Sequence, residues 1–343
     1  MNYRRFGSTN LQVSAIGFGG QSLGGGLYYR NDRESIATLH AALDAGITFY
    51  DTADHYSEGR SEELIGRAFQ GRRDRVIIAT KAGTRLSRAG RIVSDLRPLL
   101  QPVSRWLRPS KIYLHQLRST QKSGEFSPAY LRRALESSLR RLRTDYVDVF
   151  QLHKPPSSLL EDGAWCDTME QFAAEGKIRH YGVACRHGPT MLADALRCLR
   201  HPGVASVQAS LSLVEQQAVT QLLPPALSRG VAVLVRNPRD QGHLTSAGSD
   251  IMAETYVRSP REASLRLERA AQFHFLVTER RTLAQAALQF LLHLDGVTTV
   301  LPRLFRRQDL ADVLGTLTAE PLTPEELARI ASVAALLEPV RTP

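Results

Sequence analysis

The chain has 343 residues, 43% of them hydrophobic and 23% charged, which suits one large α/β barrel or two ordinary domains of a globular protein. No apolar run approaches the roughly 18 residues of a membrane span, and Met1-Asn2-Tyr3-Arg4-Arg5-Phe6-Gly7 lacks the apolar core of a secretory signal. Cys166, Cys185 and Cys198 are too few and irregular for a disulfide framework, and Cys185-Arg186-His187 is a poor metal motif, so a reduced, cytoplasmic protein without a metal centre is expected.

Strand-like and helix-like segments then alternate along the chain. Gln12 to Gly20 reads as a first strand, and Ser35 to Ala45 as a helix with Ile36, Leu39, Ala42 and Leu43 on one face. Further strands are predicted over 47–52, 75–81, 146–153, 178–184, 204–211, 231–235 and 297–301, with helices over 62–69, 128–142, 165–174, 190–199, 215–228, 283–294 and 307–317. Ala45-Gly46, Glu175-Gly176 and Arg229-Gly230 place glycine where a helix ends in a left-handed residue. Thr323-Pro324-Glu325-Glu326 opens an extra helix beyond the repeats, with an N-cap Thr, Pro at the first helical position and Glu three residues after the cap. Eight strand–helix repeats argue for a parallel sheet closed as a (β/α)8 barrel. No linker divides the chain, so residues 1–343 read as one domain.

Four polar residues sit just beyond apolar strand segments: Asp51 and Tyr56 after Ile47-Thr48-Phe49-Tyr50, Lys81 after Val76 to Thr80, and His153 after Val147 to Leu152. The carboxyl ends of strands are where a (β/α)8 barrel builds its chemistry. Any one of them alone is equally a strand-end polar group serving structure; together they make a proton donor. A free tyrosine, with a pKa of about 10, is a reluctant acid near neutrality. A neighbouring ammonium favours its phenolate, and a carboxylate keeps the ammonium charged and oriented. In that assignment Tyr56 is the general acid, Lys81 tunes it, Asp51 anchors Lys81, and His153 orients a carbonyl oxygen. By contrast, Gly17-Phe18-Gly19-Gly20-Gln21-Ser22 fails the dinucleotide fingerprint, because Ser22 stands at the third glycine position; a flexible loop allowing a ligand's close approach is the reading that remains.

The stretch Phe49 to Glu62, the segment Ala79-Thr80-Lys81, and the run Ser138 to Asp148 leading to Leu152-His153 together resemble the aldo-keto reductase family. The resemblance runs from Tyr3-Arg4 to about Leu317, apart from two divergent stretches. It implies a nicotinamide-dependent carbonyl reductase on a TIM barrel with an N-terminal β-hairpin and an extra C-terminal helix. It also implies cofactor contacts at Gly20 and Gln21, and at Gln208, the position that holds the nicotinamide carboxamide. Asp51 serves the same site. Arg236, Asn237, Gly242 and Leu244 match the strand-seven segment lining the nicotinamide and diphosphate. Arg303, with Arg306 nearby, matches the position where a guanidinium suits the 2′-phosphate of NADPH, and Asp312 is the last acidic residue of the cofactor segment. Asp309 is expected to turn toward an arginine. Departures from the family pattern are Ala184-Cys185, Leu211-Ser212 and Val313, which remove hydrogen-bonding groups and motivate, as an alternative, a cofactor-binding regulatory protein; a redox-neutral isomerase on the same barrel is a further alternative.

Charge gives a last expectation. Between Thr84 and Gly124 seven Arg and two Lys face one Asp, a net +8 of the chain's +10, with Trp106 and Tyr113 the only Trp, Tyr or Phe. Nucleic-acid binding would call for an even cationic stripe. The segment instead reads as a solvated loop, part of which overhangs the active-site mouth and attracts an anionic or carrier-bound carbonyl substrate; charge reversal at Arg85, Arg88 and Arg91 is expected to slow capture of such substrates. The second divergent stretch, from Ser246 to Ala271, is expected to be helical from Ser264 to Leu276, and its part from Ser246 to Arg258 to order over the cofactor.

Overall fold

The computed structural model describes residues 1–24, 31–86, 122–245, 260–304 and 306–337. It opens with an antiparallel hairpin, β1 (Tyr3–Arg5) and β2 (Gln12–Ser14). Eight parallel strands follow: β3 (Phe18–Gly19), β4 (Phe49–Asp51), β5 (Ile77–Ala82), β8 (Val147–His153), β9 (Ile178–Ala184), β10 (Val204–Ser210), β11 (Ala232–Arg236) and β12 (Val297–Leu301), neighbours in that order. Between β5 and β8 a small antiparallel hairpin, β6 (Thr84–Leu86) with β7 (Lys122–Gly124), stands at the carboxyl rim. The first and last barrel strands meet, with Gly17 N–H donating to Val300 O at 2.8 Å, Gly19 N–H to Pro302 O at 3.0 Å and Val300 N–H to Ala15 O at 2.9 Å. These bonds complete the ring and leave the barrel sheet without an open edge.

The segment read as one strand from Gln12 to Gly20 is two. Its first part pairs with β1 and its second enters the barrel, because a barrel strand needs parallel neighbours on both sides while a hairpin needs only one. The glycines here are packed against the protein's own strands. A Cβ on Gly19 would lie 2.6 Å from Pro302 O, and one on Gly17 would lie 2.8 Å from the Leu301 side chain. Close approach of strand to strand accounts for glycine at these two positions.

Helices α1 (Asp32–Asp44), α2 (Arg60–Ala68), α3 (Pro128–Leu142), α4 (Ser157–Asp162), α5 (Trp165–Ala174), α6 (Met191–Cys198), α7 (Gln217–Gln221), α8 (Leu223–Ser228), α9 (Pro260–Ala271), α10 (Leu283–His293), α11 (Arg307–Gly315) and α12 (Pro324–Leu336) join the elements. Leu39 and Leu43 of α1, Leu64 and Ile65 of α2, and Leu131 and Leu135 of α3 lie in one buried cluster with Tyr50, Ile78 and Phe150 of the strands. The helix expected over 215–228 is broken at Leu222, ahead of Pro224 and Pro225, which cannot donate into a continuing helix. Helix α9 begins earlier than expected, at Pro260, and ends at Ala271. Helix α12 has the expected cap: Thr323 Oγ1 accepts from Glu326 N–H at 3.2 Å and Glu326 returns a bond to Thr323 N–H at 2.9 Å. No helix among the described residues is long and apolar enough to cross a membrane.

Inside the ring the lower layer is apolar. Phe49, Ala79, Val149, Ala232, Leu234 and Leu301 cluster with Phe6, Leu11 and Val13 from the N-terminal hairpin, and Phe6 stacks on Phe49 with centroids 5.8 Å apart. The hairpin therefore plugs one end of the barrel. Alternation along each strand puts the polar residues two or four positions further on, Asp51, Lys81, Gln151, His153 and Arg236, toward the other end.

Candidate active site

Lys81 and Asp51 form the centre of that upper layer. Lys81 is wholly buried, and its Nζ donates to Asp51 Oδ2 at 2.7 Å and to Thr52 O at 2.7 Å. Asp51 Oδ1 accepts from Gln208 Nε2 at 3.1 Å. Burial pushes the Asp51 carboxyl up and the Lys81 ammonium down, and each partner's charge opposes the shift in the other. The short contact, with each group further hydrogen-bonded, fits a charged pair.

Tyr56 starts a single 3-10 turn, Tyr56–Gly59, in which Ser57, Glu58 and Gly59 have φ of 49°, 56° and 89°. Left-handed backbone at two non-glycine residues costs roughly 1–2 kcal/mol each, offset here by fixed contacts such as Ser57 Oγ donating to Leu23 O at 2.7 Å. The turn carries the phenol ring over the Lys81 ammonium, 5.2 Å from Nζ to the ring centroid. The His153 ring lies edge-on to Tyr56, with centroids 5.9 Å apart and planes at 84°. Burial, then the charges of His55, Lys154, Lys81 and Arg236, hold the His153 pKa well below the usual 6.5, so its imidazole is neutral at physiological pH. The four residues that sequence places after three separate strands thus meet in one cluster.

Glu62 supports this floor from behind. It is fully buried on α2, accepts from Thr80 Oγ1 at 2.5 Å and pairs with Arg141 of α3 at 2.6 Å. The adjacent Asp54 and His55 were not singled out by the sequence reading, although they lie inside the stretch that carries Tyr56. His55 Nδ1 lies 3.2 Å from Asp54 Oδ1, and its ring contacts both Tyr56 and His153. Two side chains of acid–base chemistry immediately before Tyr56 were the available signal.

The positions expected to meet a cofactor occupy the same rim. Arg236 ends β11, and its Nε and Nη2 are buried with no hydrogen-bond partner among the described residues. After it, Asn237 (φ 56°), Asp240 (φ 44°) and Gln241 (φ 59°) make a left-handed turn to Gly242. Asn237 Nδ2 donates to Ser210 Oγ at 3.1 Å. The Leu244 side chain packs in the core, leaving only its main chain toward this turn. Gly20 and Gln21 lie in a 3-10 turn beside β4, and Gly20 O accepts from Ser61 Oγ at 2.8 Å. Arg239 joins β11 to β12, donating to Arg303 O at 3.1 Å and pairing with Asp312 at 3.6 Å. Asp309 turns toward Arg306, as expected, but accepts from its backbone N–H at 3.0 Å as a helix cap. Arg303, Arg306 and Arg239 therefore gather at the start of α11.

Where the family pattern is lost, other contacts fill the space. Ala184, Cys185, Leu211 and Val313 are buried, and Ser212 Oγ accepts from the N–H groups of Val214 and Glu215 at 3.2 and 3.1 Å. A cleft of about 590 Å³ against α2 and α3, lined by Arg67, Arg140 and Arg143, lies apart from this rim. Most of the basic stretch, including Arg88, Arg91, Trp106 and Tyr113, and the loop expected to close over the cofactor, 246–258, lie outside the described residues, as does the Arg85 side chain.

A parallel barrel with acid–base chemistry at its carboxyl rim defines the class, and comparison supplies the family. The model of the aldo/keto reductase family matches residues 15–335, and the chain belongs to that family. It is 27% identical over 339 residues to the uncharacterized oxidoreductase YqkF of Bacillus subtilis (strain 168), covering 97% of this chain and 96% of that one. The holo form of an aldo-keto reductase from Bacillus halodurans matches with a TM-score of 0.75 at 27% identity, covering 97% and 96% of the two chains. An aldo-keto reductase from Klebsiella pneumoniae, solved in complex with NADPH, matches with a TM-score of 0.67 at 25% identity, covering 99% and 98%.

Proposed function

We propose that the protein is an NADPH-dependent oxidoreductase that reduces an aldehyde or ketone to an alcohol, or runs the reverse, on one barrel domain spanning the chain, with Tyr56 as proton donor. The observation that carries the assignment of Tyr56 is the buried Lys81 ammonium, held by Asp51 and set under the phenol ring. An ammonium there stabilises the phenolate that proton donation leaves behind.

The residues at the rim fit a phosphorylated dinucleotide. A guanidinium fork at Arg236 is buried and unpaired among the described residues, an expensive state unless a ligand completes it. Gln208 offers an amide, and Arg239, Arg303 and Arg306 concentrate positive charge at the start of α11, where the helix dipole also favours a phosphate. When bound, the cofactor supplies a hydride to the carbonyl carbon. The protein's part is to hold the carbonyl oxygen and protonate it. The Nδ1 of neutral His153 is buried with no partner among the described residues. An unpaired buried N–H is rarer than an unpaired acceptor, which favours the tautomer with its proton on Nε2, the form that donates to a carbonyl oxygen. Tyr56 then transfers its proton to that oxygen, a contribution of roughly 10²–10⁴ in rate.

The substrate reading extends to anionic carbonyls, free or on an acidic carrier. It is supported by the net +8 between Thr84 and Gly124 and by the β6–β7 stem, which anchors both ends of that stretch directly after β5 and Lys81. The test is direct. Purified protein is titrated with NADPH by fluorescence and then offered a panel of neutral and anionic aldehydes. Tyr56→Phe should still bind NADPH and lose at least 100-fold in turnover; turnover equal to wild type would end the assignment of Tyr56. Equal capture of neutral and anionic aldehydes would remove the anionic preference alone.

A further inference from the structure

We infer that His55, held by Asp54, is the proton relay that restores Tyr56 from solvent during turnover. The inference rests on Tyr56 being the proton donor and adds a second acid–base pair to the site. Three rings form a closed triangle: His55 to Tyr56 at 5.0 Å, His55 to His153 at 4.6 Å and Tyr56 to His153 at 5.9 Å between centroids. Of the two histidines, His153 is buried, while His55 keeps 12% of its side chain exposed. A carbonyl oxygen seated on Tyr56 and His153 covers the phenol, and His55 is then the titratable ring that touches both and still reaches water.

The Asp54 carboxylate makes His55 suited to this work. With Nδ1 3.2 Å from Asp54 Oδ1, the Nδ1 proton is directed at the carboxylate, and Nε2 is the nitrogen that gains and loses the mobile proton. Asp54 is itself fixed by the Tyr130 hydroxyl at 3.5 Å from Oδ2. Burial lifts the Asp54 pKa to about 7, against the pull of Arg141, the His55 backbone, Tyr130 and Lys81. The groups facing the pair are thus Tyr56, His153 and Lys81 from the strand ends and Tyr130 and Arg141 from α3.

The balance closes without a further reactant. The carbonyl carbon gains a hydride, with its two electrons, from the reduced nicotinamide. The carbonyl oxygen takes the Tyr56 proton; the phenolate takes one from protonated His55; and His55 takes one from water. One proton is consumed from solvent per carbonyl reduced.

His55→Gln and His55→Asn, measured beside wild type from pH 5.5 to 9, decide the matter. Both variants should lose about tenfold or more in kcat at pH 8.5, where solvent protons are scarce, and much less at pH 6, with KM little changed. Added imidazole should restore the loss. In the cofactor-free protein, the histidine ring-proton resonance absent from His55→Gln should titrate in wild type, with a midpoint that moves down in Asp54→Asn. A uniform loss at all pH without imidazole rescue, an unchanged pH profile, or a His55 resonance indifferent to Asp54→Asn would each overturn the relay. If Tyr56→Phe were fully active, the underlying proton-donor reading would fall instead, which separates the two failures.

Discussion

Lys81 and Asp51 are two full charges in the middle of a protein, an arrangement that hydrophobic residues of similar volume often equal or better in stability. Under the proposed function the pair is kept for what the ammonium does for Tyr56, and it should therefore be separable from the fold. Lys81→Met leaves Asp51 buried with Gln208 as its side-chain hydrogen-bond partner among the described residues and should cost about 3–5 kcal/mol in urea unfolding, the range for breaking a buried pair. Lys81→Met combined with Asp51→Leu should recover most of that stability while activity stays lost; failure to recover would mean that the pair is needed to pack the barrel. Arg303 poses the corresponding question for cofactor choice. Arg303→Ala should weaken NADPH binding by roughly 1.5–3 kcal/mol, the range for hydrogen bonds to charged groups, with little effect on NADH. Titration of both cofactors against wild type and variant checks it.

Among the elements, α9 is docked in an unusual way. Its Arg266 is fully buried and pairs with Asp240 at 2.5 Å, Glu215 at 3.3 Å and Glu262 at 3.3 Å. The helix is thereby tied to the left-handed turn that follows β11. Burial raises the Asp240 pKa from 3.8 to about 7 against the attraction of Arg266. Between those values the unfolded chain has released a proton that the folded protein still holds, so rising pH costs stability from about 4 up to 7 and nothing further above it. Arg266→Met removes the charge that restrains this shift. Thermal unfolding should show the variant less stable than wild type, with the gap widening from pH 5 to pH 8 toward the roughly 3–5 kcal/mol of a broken buried pair. A gap independent of pH would mean that Asp240 stays ionised in the folded protein throughout. Little in the amino-acid order points to this network. Among the apolar residues of α9, Leu265 and Leu267 are exposed, and the buried side chains include an arginine. A guanidinium is placed inside because Asp240 and Glu215, from two other segments, converge on it beside Glu262 one turn away on its own helix, and the convergence of those two is a property of the folded chain.

At the scale of the whole molecule, the hairpin that plugs the barrel and the rim that holds the site are opposite ends of one object. Phe6→Ala should lower stability by about 3–5 kcal/mol through the cavity it leaves under Phe49. Turnover measured well below the melting temperature should stay near wild type, because the apolar layer lies between the plug and Lys81. A large loss of turnover in fully folded Phe6→Ala would show that the layer transmits strain to the site.

The repeat of strands and helices, and the four residues Asp51, Tyr56, Lys81 and His153, were legible in the amino-acid order because the periods of 2 and 3.6 residues and the position after a strand are local properties. Strand ends were read to within a few residues, and Val297–Leu301 as observed. The division of residues 12–20 between hairpin and barrel, the packing of the Gly17–Gly20 run, the closing of α2 on Thr80 through Glu62, and the setting of Asp54 and His55 against His153 depend instead on which strands become neighbours. Residues 55 and 153 are almost a hundred positions apart, and their rings touch only because β4, β5 and β8 lie side by side in a closed barrel. Local order selects the element and the face; closure of the ring selects the partners, and with them the distances at which protons can move.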